Sequence, residues 1–235
     1  MNPDLIYEVA SGVATLTINR PAARNALNKA VRTGIATAIA DFSSDNSAKV
    51  LILTSSGDKA FSAGADLKEM AELGMTIPPD DYLPALKSEK PIIALVNGTA
   101  VGGGFYLVLQ ADLIIAAEHA TFGITEARYG RGAPWAAALP LLIAPKVAME
   151  MLLTGNLLSS HRALEIGLIN AVVPASNLMS EGQAIATQIA ANAPLTVAAG
   201  KKMVAAVIQK LLSDFQPISQ HQPLKMGEIG YVRWS

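Results

Sequence analysis

Two hydrophobic rhythms alternate along this chain, and their order predicts its elements. Residues 5–10 and 13–18 are β-rich runs separated by Ser11-Gly12, the pattern of a hairpin. From Asn28, placed as a cap, the apolar positions Val31, Ile35, Ala38, Ile39 and Phe42 recur at helical spacing until Ser43-Ser44-Asp45 ends the helix. Residues 50–54 then read as a short buried strand. Residues 92–96, a glycine turn, a helix over 105–110 and a strand over 113–117 make a strand-turn-helix-strand unit with a right-handed crossover. Repetition of such units suggests an α/β fold, a ββα superhelix.

After Ala144 the pattern turns helical, over 147–153, 160–166 and 178–191. Asn192-Ala193 marks a joint, and Pro194 opens a last helix. Residues 70–89, with Pro78-Pro79, Asp80-Asp81 and Pro84, are the least patterned and read as a flexible loop beside a site. The organisation expected is therefore a core with its following helices over 1–193 and a C-terminal helical segment over 194–235.

Composition narrows the function. A chain of 235 residues with 51% hydrophobic content buries one sizeable core. Lys+Arg 18 against Asp+Glu 19 leaves a net charge of −1, which provides no basic field for nucleic acid. The absence of cysteine excludes disulfides, thiolate nucleophiles and thiolate metal sites. His119, His161 and His221 lack metal-pair or triad spacing and read as structural or solvated, so no metal is expected. No signal peptide is read at the start. The most apolar stretch, 136–153, is broken by Pro140, Pro145, Lys146 and Glu150, short of the about 20 apolar residues of a spanning helix. The expectation is a soluble, cytoplasmic protein with no membrane partner. A mean hydropathy of +0.35 with few charges points to subunit contacts covering apolar surface.

The candidate chemistry lies in two glycine-bearing segments, Phe61-Ser62-Ala63-Gly64-Ala65-Asp66-Leu67-Lys68 and Asn97-Gly98-Thr99-Ala100-Val101-Gly102-Gly103-Gly104-Phe105-Tyr106. Each ends an apolar run and enters a helix. Glycines there permit positive φ and leave main-chain N–H groups open to a cavity, and two converging N–H groups form an oxyanion hole. Losing one such donor typically costs about 2.7–4 kcal/mol of transition-state stabilisation.

Together with Asn19-Arg20-Pro21-Ala22-Ala23-Arg24-Asn25-Ala26-Leu27, Lys90-Pro91-Ile92-Ile93-Ala94-Leu95-Val96 and Ala120-Thr121-Phe122-Gly123-Ile124-Thr125-Glu126, these segments strongly resemble the crotonase superfamily, the enoyl-CoA hydratase/isomerase family. The resemblance spans roughly residues 5–205 and includes Leu152-Leu153-Thr154-Gly155 and 163–170, which look like later helices and a strand. From about Ile208 the sequence departs from the family, as if its C-terminus were shortened or altered, which puts tight assembly and full CoA affinity in question.

The resemblance implies an acyl-CoA substrate, a homotrimer or hexamer, and no cofactor beyond the coenzyme A of the substrate. It makes the N–H groups of Ala65 and Gly103 the oxyanion donors, and sets Ala63, Asp66 and Leu67 in the CoA adenine groove, where Asp66 can also cap a helix. Arg24, Lys68 and Lys59 are the cations able to meet CoA phosphates. Family hydratases use two glutamates; the second is Glu126, whereas Tyr106 stands in place of the first. A phenol with a reference pKa of about 10 is a poor base near neutral pH.

Glu126 alone suffices to move a proton from C2 to C4, so the reading leans slightly to double-bond isomerisation over hydration. Arg131 and Trp135, where many relatives have a Pro-Gly-Gly-rich stretch, reshape the acyl pocket, and Arg131 can pair with Glu126 or a substrate carboxylate. Decarboxylation or hydrolysis of a carboxylated or branched acyl-CoA, and a non-catalytic acyl-CoA-binding subunit, stand as alternatives.

Overall fold

The computed structural model describes residues 3–72 and 84–219, with side chains as far as 211. Strands β1 (Leu5–Ala10) and β2 (Val13–Ile18) pair antiparallel, Leu5 opposite Ile18. Ser11 and Gly12 between them both have positive φ, 50° and 82°, as a two-residue hairpin turn matched to the strand twist requires.

Helix α1 (Lys29–Ser44) follows, with the Val31 amide donating to Asn28 Oδ1 at 2.9 Å. Its last turn is closed by Lys90, whose Nζ donates to the carbonyls of Phe42 (2.8 Å) and Asp45 (2.7 Å) and sits 5.1 Å from the Phe42 ring. A cation there complements the helix dipole.

The chain then returns through β3 (Val50–Ser55), β5 (Ile92–Val96) and β7 (Leu113–Ala117) to β10 (Ala171–Val173). The larger sheet has the order β1-β2-β3-β5-β7-β10 and is parallel from β2 onward. Every residue of β3 and β5 is buried, which is why both read as unbroken apolar runs rather than alternating ones. Helix α6 (Leu178–Ala191) packs across β2, β3, β5 and β7 through Gly182, Ala186 and Ala190. At Gly182 an added Cβ would collide with Leu95, so only glycine lets the helix lie this close to β5.

A second, smaller sheet has the order β4-β6-β8-β9, formed by β4 (Ala60–Ser62), β6 (Thr99–Val101), β8 (Thr121–Gly123) and β9 (Leu158–Ser159), with β4, β6 and β8 parallel. Long strand, short strand and helix thus repeat as β3–β4–α2 (α2, Leu67–Glu72) and β5–β6–α3 (α3, Gly103–Leu109). A third pair, β7–β8, leads into a 3₁₀ turn at Glu126–Tyr129. This is the ββα superhelix. Phe61, Phe105 and Phe122, each fully buried, sit between the layers and contribute about 1.5–3 kcal/mol apiece by leaving water.

Three boundaries differ from the sequence reading. The helix expected over 105–110 begins at Gly103, because Gly102, with φ 54°, turns the chain directly into it. The stretch 163–170 holds the end of α5 (Ser160–Glu165) and a turn, and the strand is β10 just beyond. Met70, at the start of the expected loop, is instead a buried residue of α2. Residues 73–83 of that loop lie outside the described residues, as do 220–235.

The later helices are α4 (Pro145–Thr154), α5, α6 and a long α7 (Pro194–Ser219), which packs on the 3₁₀ segment Pro134–Leu141. Lys201 of α7 donates to Asp112 Oδ2 (2.8 Å) and to the Lys90 carbonyl (2.9 Å). Asp112 in turn accepts from the Ile92 amide (2.7 Å), which ties the helix to the edge where β5 begins. No helix among the described residues is long and apolar enough to cross a membrane.

Candidate functional site

The C-terminal ends of β4, β6 and β8 each deliver one part of the site: Gly64–Ala65, Gly102–Gly103 and Glu126. The first part is set by a buried asparagine. Arg24 and Asn25 adopt left-handed backbone, with φ 51° and 54°. The Asn25 side chain accepts from the Arg20 amide (2.9 Å) and donates to the carbonyls of Ser56 (3.0 Å) and Ala60 (2.7 Å). This fixes the 20–26 turn against β4. The Ala63 amide then donates to the Arg24 carbonyl (3.0 Å) and the Leu27 amide to the Gly64 carbonyl (2.8 Å), while Ser62 Oγ donates to the Asn25 carbonyl (2.8 Å).

Gly64 has φ 81°, and a Cβ there would stand 2.9 Å from the Val101 carbonyl oxygen and 3.1 Å from the Gly103 amide nitrogen. The two glycine segments therefore touch, and only glycine fits where they do. Gly103 opens α3, so its N–H belongs to the first-turn donors that have no acceptor within the helix. A Cβ on Gly102 would lie 3.5 Å from Glu126 Oε1 and 3.9 Å from Gly64 Cα. Ala65, Gly103 and Glu126, far apart in sequence, thus share one small region.

Glu126 begins the 3₁₀ turn after β8. Its Oε1 accepts from Trp135 Nε1 (3.2 Å), and its Oε2 is buried with no hydrogen-bond partner among the described residues. Burial pushes the carboxyl pKa above the ordinary glutamate value. It prevails over the Glu126 and Thr125 amides, the Trp135 indole and the positive charge of Arg131, which all favour the anion. The Arg131 amide donates to the Glu126 carbonyl (3.0 Å), and its Nη1 reaches Met70 Sδ (3.6 Å).

Tyr106 is half-buried, its ring edge-on to Trp135 at 5.9 Å, and Trp135 meets Phe105 edge-on at 6.1 Å. Burial raises the Tyr106 phenol further above its ordinary value, so near neutral pH it is a neutral hydrogen-bond donor rather than a base.

The residues assigned to coenzyme A divide into two groups. Asp66 is nearly buried: its Oδ2 accepts from Arg20 Nη1 (2.9 Å), and its Oδ1 accepts from the amides of Lys68 (3.0 Å) and Glu69 (3.4 Å). Burial opposes its ionisation, but Arg20 and the two amides hold its pKa below the usual aspartate value. Its carboxylate is engaged in capping α2, which leaves only its main chain for a ligand. Ala63, Leu67 and Lys68 are exposed beside it, Leu67 73% so.

Arg24 and Lys59 meet in a depression of about 170 Å³, together with Pro21, Ser56, Gly57 and Asp58; Lys68 does not line it. His119 Nε2 lies 2.9 Å from the Asp58 carbonyl oxygen and 3.1 Å from that of Asn97, a bridge between loops, and His161 is exposed. His221 falls outside the described residues, among which no cluster of three or more His, Asp or Glu could hold a metal.

Two residues and one contact escape the sequence reading. Asn25 and Arg20 stand in the first motif block but carry no chemistry that pattern alone exposes. The hydrogen bond from Trp135 to Glu126 depends on a 3₁₀ path with no readable period.

The sequence model of a family described as enoyl-CoA hydratase/isomerase matches residues 8–221, further toward the C-terminus than the motifs alone suggest. The (E)-benzylidenesuccinyl-CoA hydratase of Thauera aromatica is 40% identical over 211 residues, 86% of this chain and 82% of that protein. The carnitinyl-CoA dehydratase of Salmonella typhi is 38% identical over 201 residues, 81% of this chain and 76% of its own. Among solved structures, an enoyl-CoA hydratase from Mycobacterium avium superposes with a TM-score of 0.81 at 37% identity, over 90% of this chain and 91% of that one. A carnitinyl-CoA hydratase from the same organism gives 0.80 at 38%, over 87% and 81%.

Proposed function

Since the chain belongs to the enoyl-CoA hydratase/isomerase family, with the crotonase fold and the sequence of a hydratase- or dehydratase-like enzyme, we propose that it adds water reversibly across the 2,3 double bond of an enoyl-CoA with Glu126 as its single proton shuttle. The observation that carries this reading is the half-buried Glu126 carboxyl, raised in pKa, against the touching Gly64–Ala65 and Gly102–Gly103 turns.

In the dehydration direction, Glu126 takes the Cα proton and the thioester carbonyl becomes an enolate. The amides of Ala65 and Gly103 hold the negative oxygen. The Cβ–O bond then breaks, and the departing hydroxide takes the proton from Glu126, which regenerates the carboxylate and releases water. Hydration is the reverse. A base whose pKa lies nearer the working pH than a free glutamate transfers protons in both directions more readily. No group beyond the substrate's own coenzyme A enters these steps. The hydratase and dehydratase names of relatives about 40% identical support water as the reactant.

Tyr106 favours a second reading. With one carboxylate and a neutral phenol, the same enolate chemistry can return the proton to C4 and convert a 3-enoyl-CoA into a 2-enoyl-CoA. The backbone at Ala63, Asp66 and Leu67 is assigned to the adenine, Arg24 with Lys59 and Lys68 to the phosphates, and the protomers to a trimer or hexamer.

Incubating the purified protein separately with 2-enoyl-CoA and 3-enoyl-CoA, and following products by mass and chromatography, tests this. Gain of water on the 2-enoyl thioester supports hydration, and conversion of the 3-enoyl thioester at constant mass supports isomerisation. Consumption of neither, by a protein that binds both, would overturn the enzymatic reading.

A further inference from the structure

We propose that Trp135 is a positioning residue: its indole N–H pins Oε1 of Glu126 and thereby fixes the orientation of the carboxylate toward the Gly64 and Gly102 turns. This rests on the assignment of Glu126 as the base.

The indole nitrogen is a donor only, and it meets Oε1 at 3.2 Å. The ring cannot follow the carboxylate, because two aromatic contacts clamp it: Phe105 at 6.1 Å and 86°, and Tyr106 at 5.9 Å and 65°. Phe105 is itself fully buried and leans on Phe122 of β8 at 5.7 Å, so the clamp is continuous with the core. The Pro134–Leu141 segment that carries Trp135 is backed in turn by α7. A rigid donor facing a glutamate fixes the glutamate.

Oε1 is held by the indole and faces Gly102, whose missing side chain leaves the space beside this oxygen open toward the glycine turns. Oε2 is shielded from water and has no hydrogen-bond partner among the described residues. Oε1 accepts from Trp135 in both protonation states, so the carboxylate keeps one orientation toward the glycine turns while it gains and loses its proton. The bond is stronger to the anion, as charge-assisted bonds are. The charged group acting on this carboxyl is Arg131, and the titratable Tyr106 phenol belongs to the ring that packs on Trp135 from α3.

Replacing Trp135 by Phe keeps the stacked ring and removes the N–H. We expect kcat to fall at least about tenfold with KM within about twofold of the wild type, the signature of a group that acts in the chemical step. The acid limb of the kcat–pH profile moves to higher pH, because the anion has lost a donor. A W135F enzyme with wild-type kcat and acid limb, or one in which KM alone rises, would overturn the proposal by reducing Trp135 to a pocket wall.

A second measurement does not depend on that variant folding or on turnover. The chain has two tryptophans, so a Trp234→Phe protein labelled with ¹⁵N shows one indole resonance, that of Trp135. We expect it to titrate with pH at the Glu126 pKa and to stop titrating when Glu126→Gln is added. An indole resonance indifferent to both would refute the coupling. Glu126→Gln assayed alone separates the two readings: undiminished turnover in that variant removes Glu126 as base, whereas an inactive E126Q beside an unaffected W135F removes only the role of Trp135.

Discussion

Glu126 is held in a protonation balance that works against stability. The folded protein binds its proton at a higher pH than the unfolded chain does, so between those two values the native state carries the extra proton and stability falls as pH rises. Glu126→Gln is expected to abolish most turnover, by about 10²–10⁴-fold. The same variant is expected to melt at a higher temperature than the wild type near neutral pH, by about 2–4 °C for each kcal/mol recovered in a chain of this size. The two melting curves should converge below about pH 4, where the unfolded carboxyl is protonated as well. Thermal scans at several pH values, run beside the activity assay, check both.

Tyr106→Phe separates the two reactions. Were the phenol to orient water, hydration should fall about tenfold while isomerisation holds, and product ratios from the paired substrates report the difference. At this scale the sequence reading singled out Glu126, Ala65, Gly103 and Tyr106 through motif position. It could not reveal that one carboxylate oxygen is tied to Trp135, because contact across a 3₁₀ segment leaves no periodic trace.

The elements that matter most are the shortest. Strands β4, β6 and β8 have three residues each, too few for alternation to register, and they lie inside the blocks that the motifs made conspicuous for other reasons. The hairpin, α1, β5, β7 and α6 were legible because their hydrophobic patterns run for five residues or more. Short strands need tertiary partners to exist, and a sequence does not display them.

Their junctions make two predictions. Gly64→Ala forces a side chain into a backbone with φ 81° and against the Val101 carbonyl at 2.9 Å. It should cost more than about 1 kcal/mol in a denaturant titration. It should also lower kcat about 10²-fold by moving the Gly103 amide. Asp66→Asn keeps an oxygen that can cap α2 but loses the negative charge paired with Arg20. We expect a loss of about 1.5–3 kcal/mol near neutral pH. Because Asp66 is held below its ordinary value of 3.8, this contribution is present above that value and disappears as pH falls through the lower folded value, so the variant and wild type should then unfold alike.

On the scale of the molecule, apolar surface remains uncovered. Met203, Val207 and Leu211 follow one another at four-residue spacing on α7, with Val204 beside them, all exposed. The high mean hydropathy of the sequence had pointed to such a surface without placing it. The proposed assembly predicts that light scattering will give a mass that is a multiple of 24.5 kDa. Met203→Glu with Val207→Glu should lower it if this stripe is part of the contact, since a charge opposite apolar surface is costly to bury. An unchanged mass would assign the contact elsewhere.

The three-stranded delivery of the site has a consequence for how such an enzyme can change. In the proposed mechanism the negative oxygen is held by main-chain atoms at Ala65 and Gly103. Substitutions elsewhere reach those atoms only by bending the loops, and at Gly64 and Gly102 they do so at once. In the same proposal the reaction is selected around Glu126 by the side chains of Tyr106, Arg131 and Trp135, carried by α3 and by the turns after β8. One part is a fixed instrument and the other is replaceable tooling, so libraries confined to Tyr106, Arg131 and Trp135, with Glu126 kept, should yield new product distributions while leaving thioester activation intact.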